Sequence, residues 1–188
     1  MVTLYLVRHG ETHENVAQLL QGHLPGQLTT KGRMQAAILR DQLSNISFDA
    51  LLCSDLQRAL DTANILNEPH QLPIISYPML RERDWGVLTG TSITEKRKLQ
   101  QFPPSVESVE AMHKRAKKLL ADLIAHYDHQ TILAVGHGLF NRCIQATIQG
   151  CTIADTPRMT NAEVRILQLH IDKPHPQNHP TETGVTAE

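Results

Sequence analysis

The sequence predicts an α/β fold, a three-layer α/β/α sandwich with a mostly parallel central sheet. Two observations carry that prediction. Short apolar runs rich in strand formers recur at residues 3–7 (TLYLV), 49–53 (DALLC), 72–76 and 131–135 (TILAV). Between them lie stretches whose apolar residues repeat at helical spacing. Strands that alternate with helices pair in parallel and take helices on both faces. At 188 residues the chain is long enough to bury one sizeable core.

The elements follow in order. Residues 3–7 read as a buried strand that stops at Arg8-His9-Gly10. Residues 28–43 read as a helix with Ala36, Leu39 and Leu43 on one face, capped by Thr29 or Thr30. A second strand over 49–53 leads to Ser54 and Asp55, either of which suits the N-cap of a helix over 56–66. A third strand over 72–76 enters an aperiodic loop, Leu80-Arg81-Glu82-Arg83-Asp84-Trp85-Gly86, in which Trp85 reads as a core or loop anchor. The insert at 91–101 is charged and weakly helical, with Lys96, Arg97 and Lys98 read as a solvated face within reach of an anionic substrate. Residues 107–127 give the longest helix, with Val109, Met112, Ala116, Leu119, Leu120, Leu123 and Tyr127 as its buried stripe. The strand at 131–135 ends at Gly136-His137-Gly138, and a helix over 140–148 follows. Residues 163–171 alternate and form a last strand, whose apolar edge suits a homodimer. The expected layout is one domain over residues 1–172, with a short cap insert near 87–107, and a polar, disordered tail over 173–188.

Composition excludes several classes. A net charge of −1 gives no reason to expect nucleic acid or an anionic membrane as partner. No run approaches the roughly 18 apolar residues of a membrane helix, and residues 1–12 carry neither a basic leader nor a cleavage site. Three widely spaced cysteines, Cys53, Cys143 and Cys151, read as reduced thiols, which points to the cytoplasm. Eleven histidines show no ligand spacing, His175 and His179 included, so no metal and no cofactor are expected.

The chemistry lies at the strand ends. Ligand crevices of parallel sheets form at the carboxyl ends of the strands. Arg8 and His9 follow the first strand, Arg58 the second, Glu82 the third, and His137 the strand near residue 135. Two guanidinium forks and two imidazoles suit a phosphoryl group, and Gly10, Gly136 and Gly138 let the backbone come close to it. His9, made neutral by its cationic neighbours, is a nucleophile near neutral pH. Glu82 is the acid of the set, with Asp84 and Glu11 as competitors.

At these residues the chain resembles the histidine phosphatase superfamily, the phosphoglycerate mutase-like family. The resemblance rests on Leu6-Val7-Arg8-His9-Gly10-Glu11-Thr12, on Ser54-Asp55-Leu56-Gln57-Arg58-Ala59, on Leu80-Arg81-Glu82 and on Gly136-His137-Gly138. It covers residues 2–170 or so. It implies His9 as the residue that takes the phosphoryl group, with Arg8, Arg58 and His137 around it and Glu82 as proton donor. It adds Asn15, Gln21 and Gly22 to the substrate pocket beside Gly138. It implies a metal-independent phosphatase acting on a small phosphorylated metabolite or a phosphoprotein. Family mutases carry a longer insert than the one between Gly90 and Glu107 here, which favours hydrolysis over a phosphoglycerate mutase-type isomerase. A non-catalytic module that binds phosphorylated ligands is the third reading, disfavoured because both His9 and Glu82 are present.

Overall fold

In the computed structural model, which describes residues 1–170, a five-stranded sheet runs through the chain. Its strands are β1 (Val2–Arg8), β2 (Ala50–Cys53), β3 (Ile74–Ser76), β4 (Thr131–Gly136) and β5 (Val164–Leu169). The helices are α1 (His13–Val16), α2 (Thr30–Leu43), α3 (Gln57–Leu66), α4 (Ile93–Arg97), α5 (Val109–His126) and α6 (Gly138–Gln149). The spatial order is β3-β2-β4-β1-β5. All neighbours are parallel except β5, which closes one edge antiparallel to β1. The expected tail over 173–188 lies outside the described residues.

Strand alternation sorts the side chains into two cores. Leu4 and Leu6 of β1, Leu52 of β2 and Ala134 of β4 face α5 and α6, meeting Met112, Ala116, Leu119, Phe140 and Ile144. Val7, Leu51, Cys53, Leu133 and Val135 face the other way, onto Leu39 and Leu43 of α2 and Ala59, Ala63 and Leu66 of α3. The three layers expected from the sequence are therefore present. Among the described residues no helix is long and apolar enough to cross a membrane.

Two local expectations need correction. Ser54 and Asp55 do not cap α3; its N-cap is Leu56, with no side-chain cap. The Ser54 hydroxyl is engaged by His137, and Asp55 takes a forked hydrogen bond from Arg81, with Nε to Oδ1 at 2.7 Å. Val109 is exposed rather than part of the stripe of α5, because it occupies the first position of the helix, ahead of the turn where Met112 reaches the core.

A third, small cluster lies outside the sheet. Leu20, Trp85 and Val106 are buried together, with Leu88, Ile93 and Leu139 against them. It fastens the segment carrying α4 to the loops after α1 and β3. Backbone hydrogen bonds reinforce the join: Leu20 donates to Thr91 at 2.9 Å, Gly90 to Leu20 at 2.7 Å, and Ile93 to Gln18 at 2.9 Å.

Candidate active site

Pairing of the three inner strands assembles the site. The β1–β4 register places Arg8 opposite Gly136, and the His9 amide donates to the Gly136 carbonyl at 3.1 Å. On the other side of β4, the Ser54 amide donates to Val135 at 3.0 Å. His9, His137 and Ser54 thus leave adjacent strand ends together. The two imidazole rings lie 5.2 Å apart, centre to centre.

The turn after β1 is held by close contact with α2. A side chain at Gly10 would meet the Gly32 carbonyl at 2.5 Å, and one at Gly32 would meet the Glu11 carbonyl at 2.0 Å. Only two facing glycines permit that approach. Thr62 of α3 accepts from the Gly10 amide at 3.1 Å. The His9 carbonyl is gripped from behind β5's approach, by the Ala162 amide and the Asn161 side-chain amide, each at 3.2 Å.

These restraints fix the tautomer of His9. Nδ1 lies 2.7 Å from the Gly10 carbonyl, which can only accept, so Nδ1 carries the proton. The lone pair is then on Nε2, where the Nε–H of Arg58 approaches at 3.3 Å. Burial, then Arg58, then Arg8, hold the His9 imidazole well below its ordinary value, so the ring is neutral at neutral pH. His137 is depressed in the same direction, by burial first and then by Arg58.

Arg58 is 1% exposed. Besides His9, its guanidinium donates to the carbonyls of Gly22, at 2.9 Å, and of Leu24. Gly22 has a φ of +49°, a left-handed conformation that favours glycine and forms part of the turn meeting Arg58. Burial lowers the Arg58 guanidinium to about 10, which leaves it charged at neutral pH. Arg8 is anchored by one Nη1 bond to the Met159 carbonyl at 2.6 Å, while its Nε is buried without a protein partner. His137 shares Nε2 with the Ser54 hydroxyl at 2.8 Å, and its Nδ1 is likewise buried and unpartnered. Asn15 uses its amide oxygen to accept from Thr12 and from Asn161, both at 3.1 Å. Among the described residues its amide nitrogen has no protein partner.

Glu82 reaches the site from the loop after β3. Its carboxylate accepts from the backbone amides of Arg83 at 2.8 Å, Leu139 at 3.0 Å and Phe140 at 2.9 Å. It thereby caps the first turn of α6, which fixes the carboxyl beside His137, the N-cap residue of that helix. The competitors are occupied elsewhere. Glu11 is bound by Thr29 and Lys31, both at 3.0 Å, and Asp84 accepts from the Gly86 amide at 2.8 Å.

A cavity of about 340 Å³ opens above these groups. Arg8, His9, Asn15, Gln21, Gly22, Arg58, Glu82 and Gly138 all line it, and His137 lies fully buried beneath. All nine site residues expected from the sequence are therefore brought together. Among the described residues, no group of three or more His, Cys, Asp or Glu side chains is placed to hold a metal ion.

Residues 4–179 match the family profile described as histidine phosphatase superfamily (branch 1). The chain belongs to that superfamily. A phosphatase of Escherichia coli (strain K12), adenosylcobalamin/alpha-ribazole phosphatase, is 34% identical over 150 residues, 71% of this chain and 72% of that one. The probable phosphoglycerate mutase GpmB of Proteus mirabilis (strain HI4320) is 30% identical over 193 residues, 96% of this chain and 87% of that one. Among solved structures, Bacillus stearothermophilus YhfR superposes with a TM-score of 0.83 at 29% identity, covering 89% of this chain and 91% of that one. The phosphatase names among these relatives agree with a phosphoric monoester hydrolase of the histidine phosphatase superfamily.

Several contributors were not legible as site residues. Ser54 reads as a helix cap, and nothing in the sequence singles out Asn161. Arg142, to which the sequence assigns no role, donates to the carbonyls of Thr156 at 3.0 Å and Ile153. It thereby ties down the loop that carries Met159, the acceptor for Arg8. Glycines and strand ends signal themselves in sequence, whereas these residues act through partners far along the chain.

Proposed function

We propose that the protein hydrolyses a phosphate monoester through a phosphohistidine on His9, without a metal ion. The observation that carries this reading is the geometry of His9: Nδ1 is committed to the Gly10 carbonyl at 2.7 Å, which leaves the lone pair on Nε2 of a neutral ring lining the cavity, where it accepts from the Arg58 Nε–H at 3.3 Å until a phosphoryl group takes its place.

The Nε2 lone pair attacks phosphorus, and the bond from phosphorus to the ester oxygen breaks. Glu82 gives its proton to the departing oxygen. Negative charge on the phosphoryl oxygens meets the free Nε–H of Arg8, the Arg58 guanidinium and the Asn15 amide. Ser54 accepts from the Leu56 amide at 3.4 Å, so its own hydroxyl is free to donate to His137 Nε2. His137 then carries its proton on Nδ1, a neutral donor for a phosphoryl oxygen. In the second half, water attacks phosphorus, Glu82 takes the water's proton, and the N–P bond to His9 breaks. Fixed cations supply the positive charge in both halves, so the scheme draws on no metal.

A phosphoglycerate mutase reading is favoured by the likeness to GpmB. Against it, the segment between Gly90 and Glu107 contributes only the five-residue α4 over the cavity, and water must be shut out if the phosphoryl group is to return to an acceptor.

The test is a panel of phosphate esters, p-nitrophenyl phosphate included, assayed for inorganic phosphate with wild type and His9→Ala in the presence of EDTA. Wild-type turnover that survives the chelator, and its loss in His9→Ala, are expected. Turnover that persists in His9→Ala overturns the proposal. So does conversion of 3-phosphoglycerate to 2-phosphoglycerate, with a trace of bisphosphoglycerate present, faster than phosphate release.

A further inference from the structure

The chemistry proposed above asks one carboxyl, Glu82, to meet a leaving oxygen, yet residues 81–85, which carry it, belong to neither helix nor strand. Such a segment holds its course only if its backbone groups find partners elsewhere. They find them around one ion pair. Arg115 of α5 binds Glu107, just ahead of that helix, through a fork: Nε donates to Oε1 at 2.9 Å and Nη2 to Oε2 at 2.7 Å. The pair is largely withdrawn from water, its side chains 20% and 16% exposed.

The pair grips the chain on both sides of Glu82. Ahead of it, Nη1 of Arg115 donates to the carbonyls of Met79 at 2.9 Å and Arg81 at 2.7 Å. Beyond it, the Glu107 carboxylate accepts from the Asp84 amide at 3.2 Å, and the Glu107 carbonyl accepts from Arg83 Nε at 2.7 Å. The Glu107 amide donates back to the Asp84 carbonyl at 2.9 Å. Arg115 also reaches the far side of the carboxyl. Its guanidinium lies 3.6 Å from the centre of the Phe140 ring, and the Phe140 amide is one of the donors to Glu82. The loop that carries Glu82 and the helix end that receives it thus rest on one guanidinium. Neither Arg115 nor Glu107 lines the catalytic cavity. Desolvation largely offsets the attraction within such a pair, so stability alone is a weak reason for it.

We propose that Arg115 is a positioning residue for the reaction, acting with Glu107 to hold the Glu82 carboxyl where it can protonate the leaving oxygen. This rests on the phosphatase reading above and adds to it two residues that do not touch the substrate. The consequence is selective. Arg8, Asn15 and Arg58, which meet the phosphoryl oxygens, lie outside this clamp. Loosening it therefore harms those esters whose leaving oxygen needs a proton and largely spares those whose leaving group departs as a stable anion. A merely structural role would lower turnover of every ester alike.

The experiment measures kcat/KM for p-nitrophenyl, phenyl and benzyl phosphate, esters of similar size whose leaving oxygens rise in basicity in that order. In Arg115→Met, which keeps an apolar stem against Phe140, benzyl phosphate is expected to lose about tenfold or more and p-nitrophenyl phosphate less than about threefold. In a Glu82→Gln background the same change should cost less than about twofold on any of the three, because no acid is left to aim. Equal losses across the series, or an undiminished loss in the Glu82→Gln background, overturn the proposal. Should Arg115→Met fail to fold by circular dichroism, Glu107→Gln takes its place, with the same order of losses expected and equal losses again overturning it. Failure of the phosphatase reading is seen separately, as no turnover of p-nitrophenyl phosphate by the wild type, and removes the proposal with it.

Discussion

The floor and the rim of the same cavity are built on opposite principles. On the floor, the side chains are buried or half-buried and held by protein partners, His9 through Gly10 and Arg58, His137 through Ser54, Glu82 through three backbone amides, while Arg8 Nε and His137 Nδ1 are left free. At the rim, Lys96, Arg97 and Arg158 come from a short helix and a loop, and among the described residues no carboxylate pairs with them. Buried polar groups are costly unless satisfied, so a floor of this kind holds one geometry. Exposed cations on connecting segments cost little to change. The contrast teaches that the groups the proposed chemistry uses are locked by protein partners, while the cations around them are left free.

The comparison breaks first at the floor. Replacing His9 with Ala removes the nucleophile, and kcat is expected to fall by about 10⁴-fold or more in a phosphate-release assay. Circular dichroism should show the fold retained, because the deletion relieves a buried imidazole of its cationic neighbours. Glu82→Gln keeps the amide contacts in part but cannot deliver a proton. For an alkyl phosphate, kcat should drop by about 10²- to 10³-fold. For p-nitrophenyl phosphate, whose leaving group needs little help, the drop should be much smaller. Equal losses for both esters would remove Glu82 from the acid's role.

Smaller effects probe what holds the floor together. Gly32→Ala would press a methyl group against the Glu11 carbonyl, 2.0 Å away, and push on the turn that carries His9. Overpacking of this sort costs about 1–3 kcal/mol, or several degrees in a melting curve for a chain of this size. Titration gives the last test. Folding lowers the affinity of His9 and His137 for protons below that of the unfolded chain, near pH 6.5. Below that pH the unfolded state binds more protons, so stability is lost as pH falls. Each histidine contributes up to about 1.4 kcal/mol per pH unit there, measured as the slope of unfolding free energy from denaturant titrations. His137→Asn should remove one such contribution; an unchanged slope would mean that the ring is not held neutral.

The sequence carried more of the floor than of the rim, for physical reasons. Gly10, Gly136 and Gly138 flank His9 and His137 where neighbouring atoms come close to the backbone, and such punctuation shows in a linear string. The strand-to-helix alternation showed the layers and which edge would bear the site. It could not show that β1 and β4 are neighbours in the order β3-β2-β4-β1-β5, the fact that puts the two imidazoles 5.2 Å apart. Capping rules misassigned the N-cap of α3, though not its start, because Ser54 serves His137 and Asp55 serves Arg81; the site overrides the local preference of the helix. Lys96 on its short charged helix looks like ordinary solvated surface, although an anionic substrate was within its expected reach. Arg158 has no periodicity to mark it at all. Only the fold reveals that both turn toward one cavity, from segments 60 or so residues apart in a chain of 188.

The central claim is a covalent phosphoryl group on the His9 imidazole. Rapid mixing with substrate, quenching in alkali to preserve phosphohistidine, and mass spectrometry of the resulting peptides test it most directly. The account predicts one phosphoryl group, formed within a turnover, on the peptide containing His9, at Nε2 by phosphorus NMR and absent from His9→Ala. A phosphoryl group on another residue, or turnover with inverted configuration at a chiral phosphorus and no trapped adduct, would contradict it.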